Sequence, residues 1–137
     1  MLEALKEAKK AFDADEVPVG AIIVAENRII ARAHNLTQRL NDVTAHAEMQ
    51  AITSAANAIG GKYLNECSIY ISLEPCVMCA GALAWSQIGT VIYGASDQKR
   101  GFSMISNTLL HPKTKILGGI MAEESEQLLK TFFSKKR

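Results

Sequence analysis

The sequence predicts an α/β protein in three layers, α/β/α, with a mixed five-stranded sheet between helices. Short runs rich in β-branched residues alternate with longer stretches of helical periodicity. One pair of runs is separated by two turn-forming residues, which makes a hairpin and therefore an antiparallel pair. A later strand–helix–strand unit, Ser68 to Gly94, requires a parallel pair joined by a right-handed crossover.

Leu2, Leu5, Ala8 and Phe12 recur at helical spacing, so the chain opens with an amphipathic helix before it turns at Pro18. Val19 to Ala25 and Arg28 to Ala33 read as strands joined by Glu26-Asn27, where Asn tolerates positive φ. His34 to Val43 is a polar loop. Thr44 is placed to cap a helix from Ala45 to Ile59 that stops at Gly60-Gly61, with His46 and Glu48 in its first turn. Ser68 to Leu73 reads as a buried strand, Pro75 to Ser86 as a helix with proline at its first position, and Val91 to Gly94 as a strand. Lys115 to Ile120 supplies a fifth strand. Ala122 to Phe133 forms the last helix, with Glu123 and Glu124 early and Lys130 late, in accord with the helix dipole. Active sites gather at the carboxyl ends of such parallel strands, where both the His46 and the Cys76 helix starts are expected to meet.

With 137 residues and 48% hydrophobic content, the chain can bury one core, and a single domain over residues 1–137 is expected. The longest apolar run, Val77 to Trp85, is far short of the roughly 20 residues that span a bilayer, so no membrane partner is expected. The charged opening Met1 to Lys10 does not resemble a signal peptide, which points to a cytoplasmic location. Three cysteines, an odd number, argue against a disulfide framework. A net charge of +1 lies below the basic balance of domains that bind nucleic acid mainly through phosphates. Local charge is less neutral: Lys99-Arg100 and Lys135-Lys136-Arg137 are basic clusters, to be read either as solvated surface or as phosphate contacts.

The chemistry concentrates in His46-Ala47-Glu48 and Pro75-Cys76-Val77-Met78-Cys79. Cys76 and Cys79 are three apart, so a helix opening at Pro75 carries both sulfurs on one face of its first turn. The positive helix end lowers cysteine pKa and favours the thiolates that zinc requires. His46 adds an imidazole, giving a Cys2His set compatible with a catalytic zinc whose fourth position is left to water. Glu48 sits two residues after His46 and points away from it on a helix, so it is free to move protons. Two thiolates cancel the charge of Zn2+, so its water is less acidic than in an all-histidine site and needs a base, for which Glu48 is the candidate.

The chain also carries Val17-Pro18-Val19-Gly20-Ala21, Asn35, Thr44-Ala45-His46-Ala47-Glu48 and Leu73-Glu74-Pro75-Cys76-Val77-Met78-Cys79-Ala80-Gly81-Ala82 in order. With these motifs it resembles the bacterial tRNA-specific adenosine deaminases, nearly end to end. The core motifs are shared with the wider cytidine and deoxycytidylate deaminase superfamily, and the resemblance implies a cytidine deaminase-like fold. It further implies one zinc ion per subunit on His46, Cys76 and Cys79, with Glu48 passing a proton from water to the ring nitrogen and helping ammonia leave. The implied reaction converts adenosine to inosine at the wobble position of a tRNA anticodon loop. Asn35 matches the family's base-contacting asparagine, and Val19, Gly20, Ala21, Ala47, Glu74, Pro75, Asp97, Lys99 and Phe133 are the other substrate-binding positions implied. Of Phe132-Phe133, adjacent on the last helix, one is expected to be buried and the other available to stack on a splayed base. The family is typically homodimeric, so a symmetric dimer is expected. The run Asp97-Gln98-Lys99-Arg100-Gly101 departs from the family by continuing with Phe102, Met104 and Ile105 in place of small residues.

Other readings stay open at this point. The same core motifs suit a deaminase of a free base, nucleoside or nucleotide, and also a non-catalytic, zinc-stabilised binding module. The Cys-x-x-Cys pair alone also suits a thioredoxin-type redox site. A closed structural site needs a fourth protein ligand; Cys67 lies beyond a strand, roughly 20 Å away, leaving His34 and His111. The helix Val77 to Ile88 is apolar nearly all round and rich in small residues, as suits burial within its own domain or close approach of another backbone. Trp85 belongs to either surface.

Overall fold

In the computed structural model, which describes residues 1–136, five strands form one sheet in the order β2-β1-β3-β4-β5. Arg137, third of the C-terminal basic cluster, lies outside the described residues. The elements run α1 (Leu2–Asp13), β1 (Gly20–Ala25), β2 (Arg28–His34), α2 (Ala47–Ile59), β3 (Cys67–Leu73), α3 (Val77–Ser86), β4 (Thr90–Ala95), β5 (Lys115–Leu117) and α4 (Ala122–Ser134). β1 pairs antiparallel with both β2 and β3, whereas β3–β4 and β4–β5 are parallel, so the sheet is mixed as expected. Glu26 and Asn27 both take positive φ, 50° and 63°, which matches the twist of a two-residue hairpin.

Alternation along the strands separates the two faces. Ala21, Ile23, Ile69, Ile71 and Val91 face one core together with Ala47, Ala51 and Ala55 of α2 and Ala80 and Leu83 of α3. On the other face lie α1, with Ala4, Ala8 and Ala11 buried, and α4, whose Ser125 hydroxyl donates to the Ser72 carbonyl. Gly20 permits close packing there, because a Cβ at this position would lie 2.1 Å from the Ala4 carbonyl oxygen.

Several boundaries depart from the sequence expectation for physical reasons. Thr44 does not cap α2: its N–H and hydroxyl both donate to Asp42 Oδ1, at 2.8 and 2.7 Å, and the N-cap is His46 in an extended conformation. Pro75 likewise precedes α3, whose N-cap is Cys76, because the Pro75 carbonyl accepts the Phe102 N–H at 2.9 Å and is held outside the helix. The fifth strand is three residues long, since Gly119 at φ 87° turns the chain so that the Gly119 and Ile120 N–H groups return to Gly94 and Tyr93. α3 is not wholly buried: Cys79, Ala80, Leu83 and Ser86 face the core, while Val77, Met78 and Trp85, the last 85% exposed, face outward. No helix among the described residues is long and apolar enough to cross a membrane.

Candidate active site

The amino ends of α2 and α3 meet beside the carboxyl end of β3, and each presents its first side chain from a cap position. At the α2 tip His46 is extended, at φ −70° and ψ 155°, which turns its ring out of the helix and toward α3. Cys76 is extended in the same way at the tip of α3, and Cys79 stands three residues on, so both sulfurs face the imidazole. His46 Nδ1 lies 3.7 Å from Cys76 Sγ and 3.5 Å from Cys79 Sγ. All three ligand atoms fall within 4.8 Å of one another. A tetrahedral ion with ordinary zinc–sulfur and zinc–nitrogen bond lengths imposes an S···N separation of about 3.6 Å, so the donor set fits zinc in both chemistry and spacing. Among the described residues no other His or Cys joins the cluster: Cys67 is buried at the opposite end of β3, and His34 and His111 stand outside.

The three groups lie within hydrogen-bonding reach and shift one another's protonation. The hydrogen bond from Cys79, with His46 adding to it, holds the Cys76 thiol down at about 4, so Cys76 is a thiolate at neutral pH. The same hydrogen bond and burial push the Cys79 thiol upward. The bond to Cys76 raises the His46 imidazole, and the nearby Glu48 charge adds to this.

Glu48 lies in the first turn of α2, buried beside the trio and outside it. Burial lifts its carboxyl from 4.5 to about 7, and its own backbone N–H, His46 and Cys79 offset only part of that rise. A carboxyl poised near neutrality can both take and return a proton, as general acid–base chemistry requires. Such a group strains the fold. In the unfolded chain Glu48 ionises near 4.5, so the metal-free protein loses stability as pH rises from there through about 7. Glu48→Gln is therefore expected to stabilise the metal-free protein by about 3–4 kcal/mol above that range, at roughly 1.4 kcal/mol per pKa unit. Denaturant titrations at several pH values check this, and the gap should close below 4.5.

Loops flank the trio on two sides. Asn35, buried just after β2, donates through Nδ2 to the Val17 carbonyl at 3.4 Å and accepts the Thr37 N–H at 3.3 Å. Val19 accepts the Asn35 N–H, and Ala21 and Ala47 are fully buried in the core beneath. Asp97 and Lys99 lie in the loop after β4, where Asp97 Oδ1 accepts the Lys99 and Arg100 N–H groups at 3.0 Å. Phe132 is buried, 6% exposed, edge-on to Phe12, while Phe133 is 47% exposed, which divides the pair as expected.

Sequence reasoning missed one residue here. Buried Glu16 accepts the Gln38 and Arg39 N–H groups at 3.0 and 2.8 Å and so shapes the loop that follows Asn35. No local signal marks such a residue, because its donors lie more than twenty positions away.

Comparison with known proteins places this geometry in a family. The MafB19-like deaminase model matches residues 1–137. A tRNA-specific adenosine deaminase of Aquifex aeolicus is 47% identical, over 98% of this chain and 91% of its own. A solved structure from work on A-to-I editing by tRNA:A34 deaminases at the wobble position of transfer RNA superposes with a TM-score of 0.88 at 41% identity. That match covers 94% of this chain and 97% of the other. A guanine deaminase of Bacillus subtilis is 40% identical with a TM-score of 0.65, over 68% of this chain and 60% of its own. The paired helix tips, the His-Cys-Cys cluster and the buried glutamate thus sit in a chain that belongs to the tRNA-specific adenosine deaminases, within the MafB19-like deaminase family.

Proposed function

We propose that this chain, as one domain, converts adenosine to inosine at the wobble position of a tRNA anticodon loop, with one zinc ion per subunit held by His46, Cys76 and Cys79. The observation that carries the reading is the buried Glu48 carboxyl beside a cluster whose spacing suits zinc and to which the described residues bring three protein ligands. A zinc ion bound there supplies the Lewis acidity that makes water nucleophilic near neutral pH. Glu48 takes the proton released as water adds to carbon 6, delivers it to the ring nitrogen and then assists the departure of ammonia. Burial keeps bulk water from competing at this carboxyl and strengthens each charge interaction around it.

Substrate contacts are assigned to the two flanking loops and the last helix. Asn35, Val19, Gly20, Ala21, Ala47 and Pro75 line or support the floor on which the base would sit, although Gly20 lies against α1 and serves that floor from beneath. Asp97 and Lys99 stand in the loop on the far side, and the exposed Phe133 offers a face for a splayed base. A homodimer is supported by the outward face of α3, where Gly81 meets open space beside Val77, Met78 and Trp85. Action on tRNA accords with a cytoplasmic location.

One expectation follows from these protonation states. Zinc replaces the proton on Cys79, whose thiol is pushed upward, so loading the protein near pH 7 should release at least about one proton per site. Calorimetry in buffers of different ionisation enthalpy measures this number, and a release near zero contradicts a protonated Cys79.

The substrate is tested by mass spectrometry after incubating the zinc-loaded protein with a wobble-adenine stem-loop, free adenosine, guanine and cytosine. The stem-loop should gain roughly one dalton as amine becomes carbonyl. Turnover of guanine in its place would establish the free-base alternative, which the likeness to the Bacillus subtilis guanine deaminase favours.

A further inference from the structure

Glu74 directly precedes the Pro75-Cys76 segment and is only 3% exposed, yet among the described residues no Lys, Arg or His forms an ion pair with it. Its carboxylate is surrounded by one loop instead. Oε1 accepts the Asp97 N–H at 3.1 Å, and Oε2 accepts the Ser103 N–H at 3.0 Å and the Ser103 hydroxyl at 2.6 Å. Both ends of the 97–103 loop are therefore fastened to a single side chain. Gly101 closes over it from above: a Cβ there would lie 2.5 Å from the Glu74 Cδ and Oε2 atoms. The strap then joins the metal-ligand segment itself, through the Phe102 N–H to the Pro75 carbonyl at 2.9 Å and a bridge between Gly101 and Cys76.

We propose that Glu74 is a positioning residue, whose buried carboxylate fixes the 97–103 loop against the Cys76 helix tip and so sets the substrate loop relative to the reacting base. This reassigns Glu74 from direct substrate contact to action through Asp97 and Ser103, and it rests on the reading that the 97–103 loop meets the RNA. Hydrogen bonds to an ionised carboxylate are stronger than those between neutral groups, which is why one side chain can hold a loop of this length without a cation. With the turn fixed by Glu74 and Gly101, Phe102 is buried beneath it while Met104 and Ile105 stand exposed on its outer side.

The test uses the zinc-loaded full chain. In Glu74→Gln one acceptor oxygen becomes an NH2 group facing an N–H donor. Hydrogen exchange at the Asp97 and Ser103 amides should accelerate about tenfold or more, as expected when a charge-assisted hydrogen bond is lost. KM for the wobble-adenine stem-loop should rise by a similar factor, further than kcat falls. Gly101→Ala leaves the carboxylate in place and crowds the loop away from it, so it should give the same pattern and serves if Glu74→Gln does not fold. Unchanged exchange at both amides overturns the proposal, as does a loss confined to kcat or zinc content with KM intact. If the unsubstituted protein fails to convert the stem-loop, the tRNA reading fails, and the exchange rates still decide whether Glu74 anchors the loop.

Discussion

Glu48→Ala should bind zinc as the unsubstituted protein does while its turnover falls by about a thousandfold or more, toward the upper end of what a positioned acid–base group contributes. The two halves of this expectation have separate origins. Metal retention follows because Glu48 stands outside the His46-Cys76-Cys79 cluster, whose Nδ1 and Sγ atoms converge without it. Loss of rate follows because Glu48 is a buried carboxyl, held near 7, beside the cluster. Metal analysis together with single-turnover kinetics on the stem-loop checks both halves. Preserved turnover would remove Glu48 from the chemistry, and function retained without any turnover would favour a binding module.

Cys79→Ala is expected to have the larger effect on the molecule as a whole. Cys79 is fully buried, so the substitution removes a ligand that no neighbouring His or Cys among the described residues can replace. An open site with two remaining ligands holds zinc poorly, and activity should fall to background. Stability should fall with it. Zinc at a thousandfold excess over its dissociation constant stabilises the folded state by about 4 kcal/mol, and that increment should vanish in the variant. Thermal unfolding with and without a chelator provides the measurement: the unsubstituted protein should lose stability when the chelator is added, and Cys79→Ala should not respond. Cys67→Ala is the matched control, since that buried thiol lies at the far end of β3 and should leave zinc content unchanged.

Much of the fold was legible because it depends on local signals. The hairpin at Glu26-Asn27, the stop at Gly60 and the crossover from β3 through α3 to β4 each follow from a few adjacent residues. The reactive cluster was legible for a different reason: imidazole, two thiols and a carboxyl at these spacings have few uses other than a metal with a base beside it. What remained hidden was set by distant partners. His46 and Cys76 were expected inside helices, yet both are caps, because the first helical residue depends on where the preceding carbonyls find donors. For Pro75 that donor is the N–H of Phe102, twenty-seven residues on, which no periodicity announces. The anchoring roles of Glu16 and Glu74 are invisible for the same reason, since a glutamate that serves a distant loop looks like any other glutamate. The outward face of α3 was ambiguous because small apolar residues suit a core and a subunit contact equally well.

Deamination here requires a metal gripped by only three protein ligands, and X-ray absorption at the zinc edge of the loaded protein tests that most directly. Two sulfur neighbours at about 2.3 Å and one imidazole nitrogen at about 2.0 Å are predicted, with a remaining light-atom position that changes when a substrate analogue is added. A fourth sulfur or a second imidazole in an invariant shell would contradict it, since a closed site cannot admit the water that deamination consumes.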